Sequence, residues 1–182
     1  MKSIMISLFA FSLFVLGLTA LQYTFSAQVG AETVVQADIE RTISLDVACD
    51  CRTFAFNSGA TFAQGDGFIV NGKVFPAGTL PEGTASNDPN DPGSIGDWIC
   101  RGTLTGAEEP IAFVTQHHLL ADGSGLVSEG TAGEMGGRAA LVGGIGSFSG
   151  SAGDVTAQTI GTNITDCPNI RFTFKLKKQA PK

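Results

Sequence analysis

The sequence predicts an all-β domain, either an antiparallel sandwich or a closed barrel, preceded by a short N-terminal leader. Three observations support this fold class. Short segments after residue 31 alternate apolar and polar residues, which is the period of a half-buried strand. Turn-forming pairs containing glycine separate these segments at hairpin spacing. No stretch after residue 31 repeats its apolar residues every 3.6 positions, so we expect no helices there.

Residues 1–31 have the pattern of a signal peptide. Lys2 precedes an apolar run, residues 4–21, and small residues end at Ala31. We place the cleavage after Ala31, with Ala27 as the alternative site, and an uncleaved membrane anchor as the alternative to cleavage. The prediction is therefore a secreted or periplasmic protein whose single domain covers residues 32–182, with its core at about 41–177.

The charge of the chain excludes one class of partner. The net charge is −6, and removal of residues 1–31 takes away only Lys2, which makes it −7. An acidic protein repels phosphate backbones and anionic membrane surfaces, so we expect neither nucleic-acid binding nor membrane binding after cleavage. The basic cluster at residues 175–178 is interpreted as the solvated face of the last strand.

The first and last strands show the clearest alternation. Ile43, Leu45 and Val47 alternate with polar residues, in a phase that places Cys49 on the apolar side. Because edge strands need protection, alternation at both chain ends favours closure of the sheet into a barrel. The predicted strands are 42–47, 54–56, 67–70, 97–104, 111–120, 126–129, 138–142, 151–160 and 170–176.

Glycine-containing pairs predict the turns, and one long segment predicts a loop. The predicted turns are Asn71-Gly72, Asp122-Gly123, Gly136-Gly137 and Gly143-Gly144. Residues 81–96 are rich in proline, glycine, asparagine and aspartate, which predicts a long loop, a place where binding loops often occur. Within it, Asp88 and Asn90 lack the further oxygen ligands of a calcium loop, so no calcium site is expected.

All four cysteines lie in the exported part of the chain. An even number of cysteines in an oxidising compartment predicts two disulfides and no free thiol. A bond between Cys49 and Cys51 is disfavoured because bridging residues i and i+2 strains disulfide geometry. The two remaining pairings both join this strand to Cys100 and Cys167, and the spacing does not choose between them. No metal site is expected, because C-x-x-C spacing and nearby histidines are lacking.

Three segments carry a resemblance to a known family. Residues 67–79 (GFIVNGKVFPAGT) and 93–103 (GSIGDWICRGT) resemble bacterial proteins with an allene oxide cyclase barrel-like domain. Residues 143–153 (GGIGSFSGSAG) resemble the glycine-rich hairpin of dirigent proteins, which share that barrel. The resemblance covers about residues 51–176 and implies an eight-stranded antiparallel barrel.

The resemblance also implies a function. Characterised relatives hold an apolar molecule inside the barrel and steer its cyclisation or coupling by confinement, without a cofactor. We therefore expect an exported barrel that binds an apolar small molecule in its interior and guides a cofactor-free cyclisation or isomerisation. The alternative is a non-catalytic structural or protein-binding module that uses the barrel as a scaffold. Related barrels often form homo-oligomers, so a second copy is an expected partner.

The candidate catalytic residues are few, and none is carried over from the family. His117 and His118 are adjacent on a strand, so their side chains point to opposite faces, and one of them could act as an acid or base inside the barrel. Both faces of this strand are mixed, so the sequence does not choose between them. Arg101 and Glu129 are charged residues within strands. An inward charge would mark the polar end of a ligand, and the alternative is an outward, solvated side chain.

Three further residues are candidates for ligand contact: Asp66, Trp98 and Phe113. The alternative for Asp66 is an outward, solvated side chain on a strand, and the alternative for Trp98 is a packing residue. No hydrolase elbow, phosphate-binding loop or dinucleotide fingerprint is found, because the strand-to-helix units that carry those motifs are missing.

Overall fold

The structure is a computed structural model that describes residues 39–57, 63–84, 86–106 and 111–178. These residues form nine strands and one short 3-10 turn at Gly146–Phe148. No helix of the described part is long and apolar enough to cross a bilayer. The strands are β1 Ile39–Phe56, β2 Gly67–Pro76, β3 Gly83–Thr84, β4 Gly96–Leu104, β5 Ala112–Leu120, β6 Gly125–Ala132, β7 Gly136–Ile145, β8 Ser151–Thr162 and β9 Pro168–Lys178.

Eight of the strands close into an antiparallel barrel. Their order is β8-β7-β6-β5-β4-β2-β1-β9, and β9 pairs again with β8. The predicted contact between the chain ends is confirmed, because β1 pairs with β9 from Ile39 opposite Lys177 to Ala48 opposite Asn169. The two-residue strand β3 runs parallel to β8 beside Gly161. Of the two architectures that the alternation allowed, the structure is the closed barrel.

The barrel interior holds the main apolar core. Alternate residues of each strand point inward, as Val47 and Cys49 do on β1 and as Phe172 and Phe174 do on β9. Full burial of one such large side chain stabilises the fold by about 1.5–3 kcal/mol. The predicted inward phase of the first and last strands is confirmed.

The outer face of β1 is also buried, which the alternation did not predict. Ala48 packs on the outside of the barrel against Phe75 and Leu80, which form a second, smaller cluster. Asp46 lies beside Ala48 with no exposed surface, and its carboxylate accepts bonds from the Arg171 guanidinium at 2.8 and 3.2 Å. The chain after β2 therefore covers this part of the wall.

The predicted loop at residues 81–96 is largely irregular, as expected, but it is fastened to the barrel. Asn87 and Asn169 exchange amide hydrogen bonds of 2.9 and 3.3 Å. The Asp88 carboxylate accepts from the Arg52 guanidinium at 2.8 Å. Residues 83–84 form β3, and residue 85 lies outside the described residues.

Of the predicted turns, Asp122-Gly123 is confirmed between β5 and β6, where the Gly123 N–H donates to the Leu120 carbonyl. The Asn71-Gly72 prediction is wrong, because both residues lie in the middle of β2. Gly72 has a packing role there: an added Cβ would lie 2.5 Å from the Ala48 carbonyl oxygen and 3.1 Å from the Trp98 ring.

The two other glycine pairs also lie within a strand. Gly143 and Gly144 belong to β7, where the pairing with β6 shifts register next to Gly143, as at a β-bulge. Gly136 and Gly137 open β7 just after the reversal, which is made by the preceding residues. The predicted strand at residues 54–56 is the end of the long strand β1.

One of the two expected disulfides is present. Cys51 is bonded to Cys167, whereas Cys49 and Cys100 are free and buried, so the expectation of no free thiol is corrected. The physical reason is the strand order, which places β2 between the strands that carry the two free cysteines. Two strand spacings amount to about 10 Å between Cα atoms, beyond the roughly 7 Å that a disulfide spans.

The leader predicted at residues 1–31, and the domain boundary after it, lie outside the described residues. They remain predictions from the sequence.

A candidate binding groove on the outer wall

The two histidines face opposite sides of β5, as predicted. His118 points into the barrel, is fully buried and packs edge-on against Phe172 and Phe174, with ring centroids 4.6 and 5.1 Å away. Neither of its ring nitrogens has a hydrogen-bond partner among the described residues. His117 lies on the outer side and is half-buried. The structure thus makes the choice that the sequence left open.

The environment of His118 removes it from acid catalysis near neutral pH. Burial, and then the charge of His117, lower the pKa of the His118 imidazole from 6.5 to about 3. The ring is therefore neutral under ordinary conditions. Its ring has no solvent-exposed surface and packs against the rings of Phe172 and Phe174.

Trp98 is an interior residue next to His118. The two residues are directly opposite on β4 and β5, and the Trp98 indole N–H has no partner among the described residues. One row further along, Gln116 lies opposite Ser128, and the side-chain oxygen of each is likewise unpartnered. These interior polar groups are an unusual feature for a packed core.

The interior is nevertheless filled. Phe172, Phe174, Trp98 and Leu126 occupy the space enclosed by the strands. The gap bounded in part by Gln116 and Phe172 is too small to admit a water molecule. The interior ligand site that we expected stays a prediction from the sequence.

A much larger concavity lies on the outside of the barrel wall. It has a volume of about 970 Å³ and crosses β1, β2, β4, β5 and β6 near the end of the barrel where β1 finishes. We call it the outer groove. Its lining residues are Ala55, Phe56, Asn57, Gly67, Phe68, Ile69, Arg101, Gly102, Thr103, Phe113, Val114, Thr115, Glu129 and Gly130.

The strand register explains the shape of the outer groove. Its floor is the backbone of one cross-strand row in the inward phase: Phe56, Phe68, Gly102, Val114 and Gly130. Outward side chains on either side of this row form the walls. Same-face rows lie about 7 Å apart, and four strand spacings make the groove about 19 Å long.

The walls of the outer groove are mainly apolar. Phe113 is 60% exposed and Ile69 is 42% exposed, although large apolar side chains are usually buried. In the opposite-strand pairing Arg101 lies across from Ile69 on one side and from Thr115 on the other. Phe113 is the diagonal neighbour of Arg101, at a Cα distance of about 7–8 Å.

Two charged groups stand in these walls. The Arg101 guanidinium is exposed and makes no hydrogen bond or ion pair with another described residue. The Glu129 carboxylate is two strands away in the same row and accepts a long bond of 3.4 Å from the Thr115 hydroxyl. The outer groove therefore offers one free cation beside an apolar surface.

The structure brings together three of the seven predicted candidates for catalysis or binding: Arg101, Glu129 and Phe113. Asp66 stands apart from the lining and accepts a bond from the Ala63 N–H, as a turn residue does. Ile69 and Thr103 were missed by the sequence reasoning. The signal for Ile69 was its position between Phe68 and Val70, in the outward phase of β2, where an isoleucine is unexpected. Thr103 gave no such signal.

The features of the outer groove suit the recognition of a small molecule. The contact between the Thr115 hydroxyl and the Glu129 carboxylate is long at 3.4 Å, and within the described ranges no group of three or more histidine, cysteine or acidic side chains is arranged to hold a metal. Apolar walls with one free guanidinium suit a molecule that has an apolar body and an anionic group.

Comparison with known proteins identifies the fold. A pyocyanin demethylase superposes with a TM-score of 0.53 at 17% identity, over 75% of this chain and 100% of that protein. A pterocarpan synthase dirigent protein superposes with a TM-score of 0.57 at 16% identity, over 79% and 99%. A second pterocarpan synthase dirigent protein superposes with a TM-score of 0.52 at 18% identity, over 78% of this chain and 88% of that protein. No protein-family model and no curated protein matches the sequence.

At such identities the likeness extends to the fold alone. The chain has the closed barrel of the dirigent proteins, which confirms that part of the resemblance. The link to allene oxide cyclases stays a prediction.

Proposed function

We propose that this protein binds a small apolar molecule carrying one negative charge, in the outer groove. The observation that carries the proposal is the juxtaposition of an unpaired Arg101 with exposed Phe113 and Ile69 in a groove of about 970 Å³. The volume lies at the upper end of the range usual for small-molecule sites. The dirigent-like barrel is compatible with ligand binding and serves here as a rigid support.

The energetics of the outer groove favour modest affinity. Covering apolar surface contributes about 25 cal/mol per Å², and a hydrogen bond to a charged group contributes about 1.5–3 kcal/mol. An open groove leaves part of the ligand in water. We therefore expect a dissociation constant on the order of micromolar.

The proposal is binding and not chemistry. Steering a cyclisation by confinement requires a site from which water is excluded. The outer groove is open to solvent, and large apolar side chains such as Phe172 pack in the interior, where confinement was expected. No cofactor is needed for this function.

We further propose that the protein acts outside the cytoplasm. The leader pattern of residues 1–31 and the Cys51–Cys167 disulfide support this location, since disulfides persist in oxidising compartments. A ligand met there would be a free amphipathic acid.

A pair of dyes tests the proposal. 8-Anilinonaphthalene-1-sulfonate is an apolar anion, and N-phenyl-1-naphthylamine has the same rings without the charge. In fluorescence titrations we expect R101Q to weaken binding of the sulfonate about tenfold or more and to change binding of the neutral dye less than twofold. F113S should weaken both dyes, because it removes apolar contact area.

The matched control is R138Q. Arg138 is an exposed arginine on the outer face of β7, outside the lining of the outer groove. The R138Q variant should bind both dyes as the wild type does. Equal loss of sulfonate binding in R101Q and R138Q, or full retention in R101Q, would show that the dye binds elsewhere.

The scaffold hypothesis is the second candidate, and a separate observation favours it. Val142 and Ile145 are 52% and 56% exposed near the end of β7, an apolar surface suited to a protein partner such as a second copy of this chain. Light scattering of the wild type and of a V142S/I145S variant tests it. A dimer that dissociates in the variant while dye binding persists would support this second role.

A further inference from the structure

Three sulfur atoms meet at the edge of the core. Cys51 on β1 is bonded to Cys167, which lies just before β9. Cys49 is two residues away from Cys51, and its thiol donates to the Cys167 sulfur at 3.2 Å. That sulfur therefore contacts two candidate partners on the same strand.

We propose that Cys167 exchanges its disulfide between Cys51 and Cys49 within the folded barrel, and that the exchange turns Cys51 into a modification site for small disulfides. Cys49 and Cys100, the thiols of the resting form, are buried. Cys51 is only half-buried and lies at the rim of the core. Exchange thus moves a free thiol from a sealed position to an accessible one.

The exchange step balances without an external oxidant. The Cys49 thiol gives its proton to solvent, its thiolate attacks the Cys167 sulfur, and the Cys49–Cys167 bond forms as the Cys51–Cys167 bond breaks. The Cys51 thiolate leaves and can take up a proton. With a small disulfide RSSR it instead forms a mixed disulfide and releases RS⁻.

The environment makes the exchange slow and dependent on pH. Burial, followed by the neighbouring Cys100 and Asp50, raises the pKa of the Cys49 thiol to about 12. Only the thiolate attacks. As long as the pH is below that pKa, the exchange rate should therefore increase about tenfold for each unit by which the pH is raised. The free Cys100 thiol, whose pKa burial also raises to about 12, is separated from Cys49 by β2 and takes no part.

The first experiment asks whether the alternative bond can form. In C51A, acid-quenched alkylation followed by tryptic mapping should show one free thiol, at Cys100, and a disulfide joining peptides 42–52 and 139–171. The matched control C49A should retain the original bond, also with one free thiol. Three free thiols in folded C51A, or a bond between Cys100 and Cys167, would overturn the proposal.

The second experiment keeps the wild-type sequence and does not depend on the folding of C51A. Native protein is incubated with oxidised glutathione between pH 7 and pH 9, and adducts are located by fragmentation of the tryptic peptides 42–52 and 74–101. We expect the adduct on Cys51, forming about ten times faster per pH unit, and no such adduct in C49A.

Every other result of that experiment contradicts the exchange. An adduct on Cys51 at the same rate in C49A would mean that the thiolate of residual reduced glutathione attacks the Cys51 sulfur directly and Cys167 leaves as the thiolate. Adducts confined to Cys49 or Cys100, or none at pH 9, would mean that the Cys51 thiol is not released.

Discussion

At the scale of single residues, Asp46 is the charged group most deeply enclosed in the described part of the barrel. Its carboxylate accepts from the Arg171 side chain and from the Gly78 N–H at 2.8 Å. The pair therefore joins β1, β9 and the chain after β2. A buried carboxylate of this kind is costly to remove, because the donors that face it then lose their charged acceptor.

We predict that D46N lowers the free energy of unfolding by about 3 kcal/mol, since removing one partner of a buried pair costs about 3–5 kcal/mol and the amide keeps part of the hydrogen bonding. Urea denaturation measures this change. The control D97N removes an exposed pair with Lys73 and should cost less than about 1 kcal/mol. Similar losses in both variants would refute the structural role of Asp46.

His118 predicts a dependence of stability on pH. Its pKa is about 3 in the fold and about 6.5 in the unfolded chain, so the unfolded state binds more protons between these values. The contribution of neutral His118 to stability is therefore present above pH 6.5 and is lost as the pH falls towards 3. The slope is up to about 1.4 kcal/mol per pH unit.

H118L should consequently be less sensitive to acid than the wild type. At pH 7 the variant should differ from it by less than about 1.5 kcal/mol, because the volumes are similar and no hydrogen bond is lost. Between pH 7 and pH 4.5 the wild type should lose about 2–3 kcal/mol more than H118L. The control H117Q changes the outward histidine and should follow the wild type, whereas parallel curves for H118L and wild type would exclude this origin.

At the scale of elements, the strands were predictable because their physics is local. Alternation in residues 42–47 and 170–176 marks one face of each end strand as apolar, and the barrel pairs those two strands. The local pattern could not show that the outer face of a strand is covered by another segment of the chain. Asp46 is polar in sequence, yet it is buried because a distant segment folds over it.

Glycine was the residue most often misinterpreted at this scale. A glycine beside asparagine predicts a turn, but Gly72 lies within β2 because Trp98 and the Ala48 carbonyl approach too closely for a Cβ. Only tertiary packing contains that information. The same pair of residues would be a hairpin turn in another context.

We predict that G72A costs about 1–3 kcal/mol of stability, because the added methyl group overpacks a closed site. G143A is the matched control, a strand glycine whose Cβ would have no atom within 4 Å. It should change stability by less than about 0.5 kcal/mol. Thermal and urea unfolding measure both, and a tolerated G72A would show that β2 can move away from Trp98.

At the scale of the whole molecule, the barrel closes through β9, which pairs with both β1 and β8. The disulfide joins β1 to the segment before β9 across 116 positions of sequence. The bond closes a long loop and so lowers the conformational entropy of the unfolded chain. In the chain-entropy model this stabilises the folded state by about 4–5 kcal/mol.

The free energy of unfolding of C167A should accordingly be about 3–5 kcal/mol lower than that of the wild type, since neither Cys49 nor Cys51 can then form a bond with residue 167. The control C100A removes a buried free thiol and should lose only about 1 kcal/mol from the lost sulfur contacts. Chemical denaturation under non-reducing conditions gives both values. Equal losses would mean that the bond adds nothing beyond packing.

The candidate site shows where sequence reasoning ends. Arg101, Glu129 and Phe113 could be selected as unusual residues of strands, but the sequence did not show which way their side chains point. Their outward direction follows from the phase of Trp98 and Cys100, and the groove itself depends on how five strands lie side by side. Concavity is a property of the assembled wall, which no single strand carries.

Titration of ¹⁵N-labelled protein with 8-anilinonaphthalene-1-sulfonate tests most directly whether ligands bind on the outer wall. The largest amide shifts are expected at Ile69, Arg101 and Phe113, while the indole N–H of Trp98, the single tryptophan and an interior residue, stays unchanged. Shifts centred on the Trp98 indole and on His118 would instead place the ligand inside the barrel and contradict the outer groove as the binding site.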